Sequence, residues 1–140
     1  MGAMDQDTFQ PRITGQLLIR AADRSKEAFA AAVERCGLTA TQARTVFTLH
    51  KPRPMRELAA EMACDASNIT GIADRLERQG LIERVPGADR RVKLLTLTDQ
   101  GQRVRRELAH AVQASPFPMD ALTEAEQREL QRLLHKLLGD

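Results

Sequence analysis

Between Gly80 and Thr98 the three- to four-residue apolar spacing that governs the rest of the chain stops, and two short aliphatic runs take its place. Leu81–Val85 and Val92–Leu97 read as β-strands. The segment joining them, Pro86-Gly87-Ala88-Asp89-Arg90-Arg91, combines turn formers with two adjacent arginines. Helical patterns flank this hairpin on both sides, so the chain is mainly α, with about six helices and a two-stranded hairpin.

The helical boundaries are written in caps and breakers. Arg12–Cys36 carries Ile13, Leu17 and Ala21 in one apolar row and Leu18, Ala22, Phe29 and Val33 in a second, and Gly37 ends it. Thr39 and Gln42 have capping-box spacing for the next helix, which stops near His50 because Lys51-Pro52-Arg53-Pro54 cannot continue it. A short helix is expected over Met55–Ala63. Another runs from an Asp65 cap to about Gln79 and closes at Gly80, with Cys64 and Ile69 spaced as a hydrophobic staple across the cap. Thr98-Asp99 opens a fifth helix to about Ala114, which Ser115-Pro116-Phe117-Pro118 breaks. Thr123 and Glu126 form a second capping box, ahead of a helix bearing Leu130, Leu133, Leu134, Leu137 and Leu138 on one side.

At 140 residues the chain fits one domain, residues 1–140, long enough to bury a core without disulfides or metal. With no Trp, no Tyr and four Phe, that core must be aliphatic. No apolar run reaches membrane-spanning length, and the polar opening does not read as a secretory signal. Two cysteines are too few for a secreted disulfide framework, so a reduced, cytoplasmic setting is expected. The formal net charge of +2 does not by itself point to nucleic acid; the placement of the basic residues does.

Two short helices joined by a tight turn must cross rather than run antiparallel, and the crossing projects the second as a probe. Its N-terminal half offers Ala66, Ser67, Asn68, Thr70 and Gly71, small or polar groups suited to close approach and to hydrogen bonding at base edges in a major groove. Gly71 costs about 1 kcal/mol within a helix, a cost that close approach to another body would justify. Arg75 and Arg78 follow on the exposed side and can reach phosphates. At the hairpin tip, Arg90 and Arg91 suit a narrow minor groove, and Asp89 is expected to pair with a wing arginine and hold the tip's shape. The combination is a winged helix-turn-helix.

Glu57-Leu58-Ala59, Asp74-Arg75-Leu76-Glu77, Gly80-Leu81-Ile82, Asp89-Arg90-Arg91 and Leu97-Thr98-Asp99-Gln100-Gly101 follow one another in register, and together they resemble the MarR family of bacterial regulators. The resemblance implies a homodimer joined through the helices within 12–36 and 115–140, around a winged helix-turn-helix DNA-binding lobe at 38–100. It further implies a recognition helix in the major groove, a wing in the minor groove and a pseudo-palindromic duplex operator. A transcriptional repressor released by a small aromatic effector is the activity expected of such a chain.

Competing readings rest on specific residues. A winged helix can serve as a protein-binding module without touching DNA. Cys36 and Cys64 raise a thiol-based redox sensor, although Cys64 sits in an apolar slot where a small hydrophobe packs. His50, His110 and His135 lack ligand-like spacing, so no metal or cofactor is expected. No nucleophile–base pair or phosphate loop signals an enzyme.

Overall fold

Side-chain caps decide where several helices begin. In the computed structural model, which describes residues 9–62 and 66–140 (Ala66 and Ser67 by backbone alone), α1 spans Pro11–Glu34 and α2 Ala40–Thr48. The Gln42 N–H donates to Thr39 Oγ1 at 3.2 Å while Gln42 Oε1 accepts from the Thr39 N–H at 3.1 Å, the reciprocal pair expected from the spacing. After α2 come β1 (Arg53–Pro54), α3 (Met55–Glu61), α4 (Ala66–Arg78), β2 (Ile82–Pro86), β3 (Lys93–Leu97) and α5 (Asp99–Ala114). A 3-10 turn (Pro118–Ala121) and α6 (Glu124–Leu138) complete the order. Thr98 caps α5 by accepting the Gly101 N–H at 3.0 Å, and Thr123 and Glu126 repeat the reciprocal box at α6. Gly37, Gly80 and Gly139 end α1, α4 and α6 with φ between 76° and 80°, where a side chain would strain the backbone.

The sheet has three strands among the described residues, in the order β1-β3-β2, rather than the two expected. β2 and β3 form the hairpin, Ile82 opposite Leu97 and Pro86 opposite Lys93; β1 adds Arg53 opposite Leu95 and Pro54 opposite Leu94. Two prolines flanking Arg53 hide this strand in the sequence. Pro54 is tolerated because an edge strand leaves one side of its backbone unpaired. Both hairpin strands start one residue later than expected, and α1 ends at Glu34 instead of Cys36. The expected break after Ser115 contains the 3-10 turn, held by the Phe117 N–H donating to Asp120 Oδ2 at 2.8 Å. α3 ends at Glu61, with Met62 as its C-cap. Ala63, the Asp65 cap and the Cys64 side of the staple lie outside the described residues.

The chain divides into two compact units. One is the segment up to Ala28 together with Pro116–Asp140; the other is Phe29–Ser115. The second unit owns the aliphatic core. Leu58, Ile69, Leu76, Ile82, Leu95 and Leu108 are buried there, each contributing about 1.5–3 kcal/mol. The Phe29 and Phe47 rings pack at its margin, their centroids 6.2 Å apart. Thr45 is buried as well, its hydroxyl donating to the Thr41 carbonyl at 2.8 Å. In the first unit apolar side chains of both helices are exposed: Ile13 is 46% exposed, Leu17 53%, Leu137 67% and Leu138 72%.

Candidate nucleic-acid interface

Burial along α4 divides the helix into two faces. Ile69, Ala73 and Leu76 are buried, whereas Asn68, Thr70, Gly71, Arg75 and Arg78 are exposed. The inward residues recur at three- and four-residue intervals, so the polar residues between them share the outer side. Ser67 occupies the first turn of α4 by its backbone, and its side chain lies outside the described residues. The Thr70 hydroxyl meets Met55 Sδ at 3.3 Å, which brings the outer side of α4 against the start of α3.

The acidic side chains of α4 are engaged by a strand. Arg84 on β2 pairs with Asp74 at 2.7 Å and with Glu77 at 3.5 Å. Arg75 and Arg78 therefore do not pair with these carboxylates among the described residues. Arg78 Nε donates instead to the Asp74 backbone carbonyl at 3.3 Å. Arg84 was not singled out from the sequence: ten residues separate it from Asp74, and only the sheet brings them together.

The wing tip is a four-residue turn. The Val92 N–H donates to the Asp89 carbonyl at 3.0 Å, leaving Arg90 and Arg91 at the two exposed corners. The Gly87 N–H donates to the Val92 carbonyl at 2.9 Å and closes the loop beneath it. Among the described residues Asp89 makes no ion pair with a wing guanidinium, contrary to expectation. Its Oδ1 accepts the Arg91 backbone N–H at 3.1 Å, a local side-chain-to-backbone bond that such turns favour over an exposed ion pair. The tip is thus shaped by a backbone contact that leaves both arginine side chains uncommitted to Asp89.

A second arginine cluster is structural. Arg53 pairs with Glu57 at 3.4 Å and with Glu61, and its Nη1 reaches the Thr48 carbonyl at 3.5 Å. Hydrogen bonding to Glu61 first, then that carboxylate's charge, holds the Arg53 guanidinium above its ordinary pKa despite partial desolvation. Arg53 thus ties the end of α2 to α3. Cys36 follows α1, half-buried and packed against the core; Cys64 lies outside the described residues. Among the described residues no helix is long and apolar enough to cross a membrane.

The MarR family model matches residues 38–93, the stretch from the start of α2 to the first residue of β3. The chain is 28% identical over 95 residues to the HTH-type transcriptional regulator MgrA of Staphylococcus aureus, a match covering 67% of this chain and 64% of that protein's length. It is 34% identical over 86 residues to the HTH-type transcriptional regulator FarR of Neisseria gonorrhoeae, covering 61% of this chain and 57% of that protein. A crystal structure of a mutant MarR from E. coli complexed with operator DNA superposes with a TM-score of 0.76 at 24% identity, over 94% of this chain and 99% of that one. The two-helix crossing, the hairpin that follows it and the matched sequence stretch agree: residues 38–93 carry the winged helix-turn-helix of the MarR family.

Proposed function

We propose that this protein is a transcriptional regulator that binds a duplex operator as a homodimer and represses until a small aromatic effector releases it. One observation carries the DNA-binding reading. Arg84 takes up both carboxylates of α4, so the side chains left for a partner on the outer face are small, polar or basic. In this reading Ser67, Asn68, Thr70 and Gly71 lie in the major groove, and Arg75 and Arg78 reach the flanking phosphates. Arg90 and Arg91 enter the minor groove from a tip that Asp89 shapes. The operator complex of the E. coli relative supports the same use of the fold, as does the likeness to MgrA and FarR, both transcriptional regulators.

The exposed apolar side chains of α1 and α6 support the dimer. Ile13 and Leu17 on α1, with Leu137 and Leu138 on α6, offer apolar surface that a second copy would cover, and the same surface on both copies makes a closed two-fold pair. Two-fold symmetry then requires two half-sites about one helical turn apart, in a pseudo-palindromic operator. A cytoplasmic location fits this activity. A ligand acts here only by binding one spacing of the two α4 helices better than another.

Footprinting on the DNA flanking the protein's own gene tests the reading, with sedimentation equilibrium for the dimer and a panel of aromatic acids for the effector. Protection of two symmetric half-sites is expected. A monomer at tens of micromolar, or affinity for duplex that does not change with salt, would overturn it.

A further inference from the structure

A groove of about 330 Å³ opens between the first turn of α3 and the base of the wing, and none of the DNA contacts proposed for α4 accounts for it. Pro54, Met55 and Val92 supply apolar walls, while Arg56, Arg91 and Lys93 supply three cations; among the described residues no acidic side chain lines it. We propose that this groove seats the sugar-phosphate backbone of bound DNA, with Arg56 and Lys93 as phosphate contacts. The inference rests on the DNA-binding reading and deepens it.

Three observations place the backbone here. First, one wall of the groove is Met55, whose sulfur touches Thr70 on the outer face of α4, and another is Arg91 at the wing tip. The groove therefore lies between the element read as a major-groove probe and the element read as a minor-groove probe. In a duplex the surface separating adjacent major and minor grooves is a phosphate strand, so a strand must cross this position when both elements are seated. Second, the carboxylates on α3, Glu57 and Glu61, are both engaged by Arg53. Among the described residues, no ion pair competes for Arg56, Arg91 or Lys93. Third, the walls suit a sugar. Val92 is 40% exposed at the mouth, and an aliphatic surface flanked by cations matches a deoxyribose face flanked by phosphates. The space equals about ten water volumes, enough to admit a phosphate and part of its hydration shell.

The test uses the full chain, a mixed-sequence 30-base-pair duplex and the flanking-DNA duplex, titrated between 50 and 200 mM salt. Each phosphate neutralised adds about 0.9 to the slope of log affinity against log salt. Arg56→Ala with Lys93→Ala is expected to reduce that slope by nearly two and to weaken binding on the order of 50-fold at 0.1 M salt, equally on both duplexes. Arg56→Lys with Lys93→Arg is expected to restore the slope, and circular dichroism melts should match the parent because both residues are exposed. A parental slope in the double alanine variant would overturn the groove assignment while leaving DNA binding intact. Loss confined to one of the two duplexes would show that these residues read bases and would overturn it too. A parent that binds neither duplex at 50 mM salt would overturn the DNA-binding reading and the groove together.

Discussion

Gly101, in the first turn of α5, lies so close to the Leu81 carbonyl that a Cβ placed on it would stand 2.0 Å from that oxygen. The same carbonyl accepts the Thr98 N–H at 3.0 Å, and the Thr98 hydroxyl donates to the Gly80 carbonyl at 2.6 Å. Backbone thus packs on backbone where α4 ends, the wing begins and α5 starts. Gly101→Ala should destabilise the protein by about 3 kcal/mol, at the upper end of overpacking costs because the obstructing atom is main chain. The helix preference of alanine, about 1 kcal/mol, is too small to offset it. Denaturant unfolding reads the effect, and an unchanged midpoint would contradict the packing.

Gly71 gives the opposite result from the same substitution. It is exposed in the interior of α4, its φ lies outside the left-handed region and a methyl added there would meet nothing within 4 Å. Gly71→Ala should therefore raise stability by about 1 kcal/mol. If the outer face of α4 approaches base edges closely, the same methyl should weaken operator binding. A variant that is more stable and binds equally well would remove Gly71 from the interface.

These two glycines also show what the sequence discloses. Gly101 could be placed in a motif, but its need is a contact with Leu81, twenty positions earlier, that no local pattern carries. Caps and stops were legible because they are local chemistry: Thr39 with Gln42, Thr98, and Thr123 with Glu126 satisfy backbone N–H groups within one turn. The outer face of α4 was legible from the spacing of Ile69, Ala73 and Leu76. The β1 strand was not, because two residues, Arg53 and Pro54, have no periodicity of their own and pair only once β3 exists. Arg84 and the Arg56–Lys93 groove were missed for a similar reason, since their roles depend on which strand lies beside which helix.

Arg84 gives a prediction about charge rather than shape. Arg84→Ala should change stability little, because exposed ion pairs contribute about 0–1 kcal/mol. It should nevertheless weaken DNA binding, because Asp74 and Glu77 would then face the phosphates unneutralised. Adding Asp74→Asn to Arg84→Ala should recover part of the loss. Fluorescence anisotropy on one duplex is sufficient, and full parental affinity in Arg84→Ala would refute the neutralising role.

At the wing, charge and hydrogen bonding at Asp89 separate cleanly. Asp89→Asn keeps an oxygen to accept the Arg91 N–H but removes a negative charge from beside the DNA, so affinity should be maintained or rise. Asp89→Ala loses the acceptor. With a net hydrogen-bond contribution of about 1 kcal/mol to tip order, affinity should fall roughly fivefold. Equal behaviour of the two variants would mean that the carboxylate does not shape the tip.

Acid should loosen the start of α6 through a definite group. The Thr123 backbone N–H, and then its hydroxyl, hold the Glu126 carboxylate below its ordinary pKa. Because the folded value is depressed, the box stabilises the folded state above the unfolded carboxylate pKa, and that contribution is lost as pH falls through the folded one. Glu129 behaves in the same direction because Arg132 donates to it, so Glu126 accounts for only part of the acid response. Glu126→Gln retains an acceptor for the Thr123 N–H and cannot titrate. Its thermal midpoint should therefore fall less than the parent's between pH 6 and pH 3, while Thr123→Ala should start lower at every pH. Parallel midpoint curves for Glu126→Gln and the parent would show that protonation of this carboxylate does not govern the acid limb.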